Sequence, residues 1–493
     1  MNRKIAIILV AIFIGPLMSV LGTQFVMASQ TIYIKADGSV YPTITPILRD
    51  GNIYVLTADI TSDSGGIVIE RDNIRFDGAG YMLQGTGAQN YYVGIDLTGR
   101  NNVTIEKTKI KAFWIGINLY SASNNIIRSN ELTNCSWGIN LQSSSNNNSI
   151  FDNNIVSNKY GIMLQDCYTN TISGNNITAN YWYGVGNYYN CSYNIISENT
   201  ISKHNYDGIK LLRGSNYNTL FGNILTDNYP NIRLDYSSNY NIICGNKIKN
   251  SNCGVSLYRS SINNSIFENE ITNNTDGISL SESSNNSIYH NTFSNSNQVY
   301  SYNSANMWDS GYPSGGNYWS DYSGSDYHQG FNQNISGSDG IGDSHYSVNS
   351  NPQTPPELVQ FDNYPLMGSF SDFKATSEQH VQIICNSSVT DFQFNGTAIS
   401  FYVSAENNTN GFCRIRIPTA LMNETYSVFV NGTEVSSSLL ACSNSTHSYL
   451  YFNYTHSTKE VVIVPEFPST MLFPLFMMSI LVLSILKNKR RSK

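Results

Sequence analysis

The chain has 493 residues and a net charge of −7, with 13% charged, 40% hydrophobic and 12% aromatic residues. It is too aromatic and too rich in Ile for disorder, and too poor in charge for an ordinary cytosolic globule. No basic stripe lies outside the two termini, which argues against a nucleic-acid partner.

The N-terminus reads as an export signal. Arg3 and Lys4 precede an apolar run from Ile5 to Val20, and Val26-Met27-Ala28 offers a cleavage site after Ala28. Residues 31–52 form a lead-in, and Ile53–Leu56, Ile67–Ile69 and Ile74–Phe76 supply the first three short strands.

From there the sequence repeats. The phrase Gly-(Ile/Val)-x-Leu begins at Gly94, Gly116, Gly138, Gly161, Gly208, Gly254 and Gly277, with degenerate copies at Gly184 and Asn231, every 22 to 24 residues. Two further phrases follow each copy, such as Asn125-Ile126-Ile127 and Asn130-Glu131-Leu132. No window carries the i, i+3, i+4 spacing of a helix. Three very short strands per period predict a right-handed parallel β-helix of about ten coils. Each coil rises one strand spacing, about 4.8 Å. Identical residues then stack, so Ile117, Ile139 and Ile162 belong to one interior column. The recurrent Asn residues sit at tight corners, where they tolerate left-handed angles and bond from coil to coil.

The coils are expected over 31–298, and residues 299–368 to cover their end. Over 369–464 the period vanishes and alternating strands joined by Asn395-Gly396 and Asn431-Gly432 predict a small β-sandwich. In the tail, 465–493, Pro465-Glu466-Phe467-Pro468 precedes an apolar run from Met471 to Leu486 and a basic cluster, Lys487, Lys489, Arg490 and Arg491. This reads as a C-terminal hydrophobic helix with its basic end in the cytoplasm. The class is therefore all-β, exported, with the body outside the cell.

Sixteen Asn-x-Ser/Thr sequons accompany this, among them Asn102, Asn134 and Asn190. Of eight cysteines, Cys167 and Cys191 recur at similar positions in successive repeats and are candidates to meet across two coils. Cys385, Cys413 and Cys442 are odd in number, so at least one of them is free or pairs elsewhere.

Two chemistries are open on the coils. Aromatic residues recur one or two positions before the strand glycine: Tyr92, Trp114, Trp137, Tyr160, Trp182, Tyr183 and Tyr206, with Tyr229 matching in the Asn231 copy. They predict a strip along one edge suited to the apolar faces of sugars; the competing reading is rings that only cover a turn. Hydrolysis of a glycosidic bond needs two carboxylates about 5 to 10 Å apart. The best cluster is Asp207 with His204 and Lys210, on what reads as a solvated face. Asp276, in the position equivalent to Asp207, is three coils away, about 14 Å. Glycan binding or an envelope scaffold is the first reading, and a polysaccharide lyase or hydrolase the second.

These phrases resemble the NosD-type β-helix family, also described as carbohydrate-binding and sugar-hydrolysis repeats. Gly316-Asn317-Tyr318-Trp319-Ser320-Asp321-Tyr322 and Asp362-Asn363-Tyr364-Pro365-Leu366 are similar to the blocks closing archaeal members. The Pro-Glu-Phe tail resembles archaeal sorting signals, which implies a membrane anchor and a sorting enzyme as partner. The resemblance also raises calcium at Asp339 and Asp343, which read more simply as turn residues because a calcium loop needs several oxygens. It raises copper too, but the seven histidines are scattered. No cofactor is required by this reading.

Overall fold

The computed structural model describes residues 26–28, 30–348, 359–422 and 425–465. The apolar run of the export signal and the tail beyond Pro465 lie outside the described residues. Among those described, no helix is long and apolar enough to cross a membrane. The chain divides into two compact units, one carrying the coils to Trp308 with Trp319–Asp321 and Ser347–Asp362, the other carrying 309–318, 322–346 and the residues from Asn363 on.

In the first unit every third strand pairs with the last of its kind, giving sheets of 13, 13 and 12 strands. Ile117, Ile139 and Ile162 stand in direct register and all are 0% exposed. The interior column is thus the one the repeat predicts. The coils number about twelve rather than ten. Ile32–Ile34 already pairs with Ile67–Ile69, and Asn297–Tyr302 still pairs with Asp276–Ser281. These end coils bury the same positions without the Gly-Ile-x-Leu phrase, so counting phrases missed them.

That glycine has a steric cause. A Cβ on Gly138 would meet the carbonyl of Gly161 at 2.6 Å and Ile155 Cγ2 at 2.9 Å. Only hydrogen lets the chain bend so close to the next coil.

The asparagines form ladders. Asn175 Nδ2 donates to Asn199 Oδ1 at 3.0 Å, and Asn199 Nδ2 to Asn223 Oδ1 at 3.0 Å. Each side chain also reaches a backbone carbonyl of the previous coil, as Asn199 Nδ2 does to Ile172 O at 2.9 Å. Buried corners are thereby satisfied by protein partners. The residue just before a ladder Asn often takes a positive φ, as at Asn147, Asn263 and Asn285. Pairs such as Asn147-Asn148-Ser149 thus arise from the turn itself, which accounts for many of the sequons.

A parallel ladder of hydroxyls and thiols runs Ser145, Cys167, Cys191, Ser215, Ser238 and Ser261. Cys167 and Cys191 occupy one column, but both thiols are free. Each donates to a carbonyl of its own coil, Cys167 to Gln165 O at 3.1 Å and Cys191 to Tyr189 O at 3.2 Å. Ser215 and Ser238 also donate within their own coils, one residue further back, to Leu212 O and Asp235 O, both at 2.9 Å. The thiols stand in for hydroxyls and do not cross-link coils.

The last coil is covered by Trp319, stacked on Phe293 with centroids 4.5 Å apart, and by Trp308 beside it. Their indole nitrogens donate to Asp362 and Gln360, each at 2.8 Å.

In the second unit two five-stranded antiparallel sheets enclose a core built around Ile383, Phe401, Ile415, Val428, Phe452 and Ile463. Cys385 and Cys413 face each other across paired strands with sulfurs 2.9 Å apart.

Candidate functional site

The Gly-Ile-x-Leu sheet presents its outer face as columns. In one, Ile115, Trp137 and Tyr160 lie in register. In the next, Asn118, Asn140, Met163, Gly186, Lys210 and Arg233 do so. Rings from the preceding turns join the first column into one series. Tyr91 meets Trp114 at 4.6 Å, Trp114 meets Trp137 at 6.3 Å, and Trp137 meets Tyr160 at 6.3 Å. Tyr160 meets Trp182 at 6.3 Å and Trp182 meets Tyr206 at 4.2 Å.

The series has two halves. Tyr160, Trp182 and Tyr206 lie within 13° and 24° of parallel, with Trp182 and Tyr206 covering each other at 4.2 Å and Tyr160 offset from Trp182. Tyr91, Trp114 and Trp137 are tilted by 52° and 36°, which leaves ring surface uncovered. Trp114 and Trp137 are half-buried, and Tyr92 and Tyr206 are exposed at the rim. Tyr183 is buried at 7%, its ring over the Lys210 ammonium at 4.9 Å. Tyr91 enters where the repeat had pointed to Tyr92: a left-handed turn at Tyr91, φ 56°, directs it to Trp114.

A second aromatic ladder escaped the repeat. Tyr193, Tyr217 and Tyr240 stack at 5.1 and 5.0 Å and within 5° of parallel. Each directly precedes a ladder asparagine, and that Tyr-Asn pairing was the signal available in the sequence. Tyr217 is sandwiched between the other two, and all three rings remain exposed.

Asp207 is not on a solvated face. It is 2% exposed, with Lys210 Nζ at 3.4 Å and Arg233 Nε at 3.1 Å. Its Oδ1 and the Arg233 Nε have no hydrogen-bond partner, so that contact is an ion pair without directed bonding. Burial pushes the Asp207 carboxyl up, and Arg233 and Lys210 oppose the shift. Glu106, also buried, is bridged by Arg75 and Arg128, here through directed hydrogen bonds such as Arg128 Nε to Glu106 Oε2 at 2.7 Å.

His204 is not part of that cluster. It replaces asparagine in an interior ladder, where its Nδ1 meets Asn180 N and its Nε2 meets Ile177 O, both at 3.1 Å. Burial pulls it down to about 4. Ring nitrogens engaged by backbone have no reach to an external substrate.

Asp339 and Asp343 lie in the second unit. Asp343 accepts from the Tyr327 and His328 amides, each at 2.9 Å. Asp339 is buried and its Oδ1 accepts from Ile341 N at 3.1 Å. These bonds tie the loop, as turn residues do.

The sequence pattern of the NosD family, described as a periplasmic copper-binding protein, matches residues 49–238 and 187–324, more than half of the chain. The chain belongs to the NosD family. No curated protein matches it. Among solved structures this NosD-family chain is similar to a periplasmic alginate epimerase, at 18% identity over 56% of this chain and 72% of that one, TM-score 0.41. It is also similar to the Dettilon tailspike protein, at 14% identity over 89% and 86%, TM-score 0.46. A third is the A-module of an Azotobacter vinelandii mannuronan C-5 epimerase, at 15% identity over 59% and 91%, TM-score 0.42.

The family's description names copper, which takes clustered His, Cys or Met. Among the described residues no group of three His, Cys, Asp or Glu stands close enough to hold a metal ion. His204 and the ladder thiols Cys167 and Cys191 are each engaged with backbone. The described residues of this NosD-family chain do not fit a copper site.

Proposed function

We propose that the chain is a non-enzymatic surface protein that binds extracellular polysaccharide along the edge of its coils. The observation that carries this is the tilted half of the aromatic series, where Trp114 and Trp137 keep uncovered, half-buried ring surface one coil apart. Aromatic faces of this kind pack on the apolar faces of pyranose rings while neighbouring polar groups stay wet. Asn118 and Asn140 beside them are buried, Asn140 Nδ2 donating to Asn118 Oδ1 at 2.9 Å, so the rings carry the contact. A lyase or hydrolase centred on Asp207 is disfavoured because that carboxylate is buried between two cations. The body is proposed to stand outside the cell, carried there by the N-terminal signal and held through the Pro-Glu-Phe tail and its apolar run, with a sorting enzyme as processing partner.

The test is a glycan array with the full chain and with a Trp114→Ala/Trp137→Ala double variant. Binding by the parent and its loss in the variant are expected. Undiminished binding in the double variant removes the strip from consideration, and absence of binding by the parent removes the reading itself.

A further inference from the structure

The second unit sets two arginines side by side on one sheet face. Arg414 and Arg416 alternate along Asn410–Pro418 with the core residues Cys413, Ile415 and Ile417, so they leave the opposite face. In register beside them stand Ile384 and Gln382 on one neighbouring strand and Tyr451 and Tyr449 on the other. Tyr312, Pro313 and Ser314 close over this face and leave a half-open cavity of about 180 Å³, walled also by Ser310 and Phe370.

Arg414 is 2% exposed. Its Nη2 donates to Pro313 O at 2.7 Å, and its guanidinium lies over Tyr449 at 5.2 Å. Its Nε and Nη1 have no hydrogen-bond partner, and neither does Arg416 Nε. Arg416 is otherwise held by neutral groups, Gln382 Oε1 at 2.6 Å and His447 Nε2 at 2.8 Å. Among the described residues no carboxylate oxygen comes within 4.0 Å of either guanidinium. The acid that feels Arg414 is Asp339, whose carboxyl burial pushes up while Arg414 opposes.

A guanidinium taken out of water without an anion is costly. Arg414, buried, and Arg416, half-buried, share one cavity wall with free N–H donors and no carboxylate within 4.0 Å, so an anion from outside matches them. The planar fork of arginine suits a carboxylate, which it grips with two parallel bonds. The cavity is smaller than the roughly 300 to 1,000 Å³ of a site for a drug-sized ligand, so its occupant is a single small unit. Phe370 and Tyr449 offer ring surface to an apolar face, while Ser310 and Gln382 offer polar groups to hydroxyls. We propose that this cavity binds one uronic acid unit through its carboxylate, with Arg414 and Arg416 as anchors. The site uses none of the coil residues, so it stands or falls apart from the aromatic strip.

Isothermal titration of the full chain with sodium glucuronate, glucose, sodium sulfate and N-acetylalanine tests this. Saturable binding of glucuronate is expected, with the other three at least tenfold weaker, and Arg416→Gln weakening it by about 10- to 100-fold. The Trp114→Ala/Trp137→Ala variant is expected to bind glucuronate as the parent does. Absent binding, glucose binding as tightly, tighter binding of sulfate or N-acetylalanine, or an unchanged Arg416→Gln overturns the proposal. Arg414→Met guards against a folding artefact. It is expected to lose binding while melting no lower than the parent, because an unpaired buried charge has been removed. A lower melting temperature means that the charge serves the fold itself, and the proposal fails.

Discussion

Asn187 stands in the interior leucine column, with Leu164 opposite it on the previous coil and Leu211 on the next. It is 0% exposed, and both its amide nitrogen and its amide oxygen lack a hydrogen-bond partner. Corner asparagines such as Asn194 and Asn199 are bonded on both sides, so this one departs from the ladder pattern of the coils.

That departure predicts a stabilising substitution. Asn187→Leu restores the column and removes two unsatisfied polar groups, for a gain of about 1 to 3 kcal/mol. Urea unfolding followed by far-UV circular dichroism reads it as a higher midpoint for the coil unit. A lower midpoint means that the amide is needed where it stands.

The opposite holds inside a ladder. Asn199 accepts from the Asn175 amide at 2.9 Å and side chain at 3.0 Å, and donates to Ile172 O and Asn223 Oδ1. Asn199→Ala strands those partners in a dry interior, at a cost of about 2 to 4 kcal/mol. The same unfolding measurement shows it. A change below about 0.5 kcal/mol, the size of an ordinary surface substitution, contradicts the ladder account.

His204 predicts an acid sensitivity. Its folded value of about 4 lies below the ordinary 6.5, so the unfolded chain takes up the proton first. Stability is complete above about pH 6.5 and falls as pH drops toward 4, by about 3 kcal/mol from this residue. His204→Asn keeps the ladder and removes that part of the pH dependence. Melting temperatures of both proteins between pH 7 and pH 4 make the comparison, and parallel curves contradict it.

Asp207 tests structure against catalysis. Asp207→Asn leaves Lys210 and Arg233, both only half-buried, without their counter-charge, and the expected cost is about 1 kcal/mol of stability, because solvent screens the cations and burial already opposes the carboxylate. Glycan binding at Trp114 and Trp137 is expected to persist. Loss of a polysaccharide-cleaving activity with unchanged stability would instead identify a catalytic carboxylate.

The repeat determined by itself what backbone geometry imposes. A phrase returning every 22 to 24 residues admits stacking at one strand interval, and the column of Ile117, Ile139 and Ile162 follows from it. Glycine at the bend and asparagine at the corner are legible for the same reason, since each recurs at most coils, with Asn231 and His204 as departures. What the repeat does not encode, it does not reveal. The end coils bury aliphatic residues without the phrase, and the tilt that separates Trp114 and Trp137 from the stacked Tyr160, Trp182 and Tyr206 depends on neighbours one coil away. Whether His204 faces Asp207 or a ladder is decided by which side of the bend it leaves. Arg414 and Arg416 lie in a stretch without period, and only the strands packed beside them and the loop of Tyr312 above make a cavity there. Local spacing sets the coil; contacts between residues far apart in the chain set the charge, exposure and reach of each side chain.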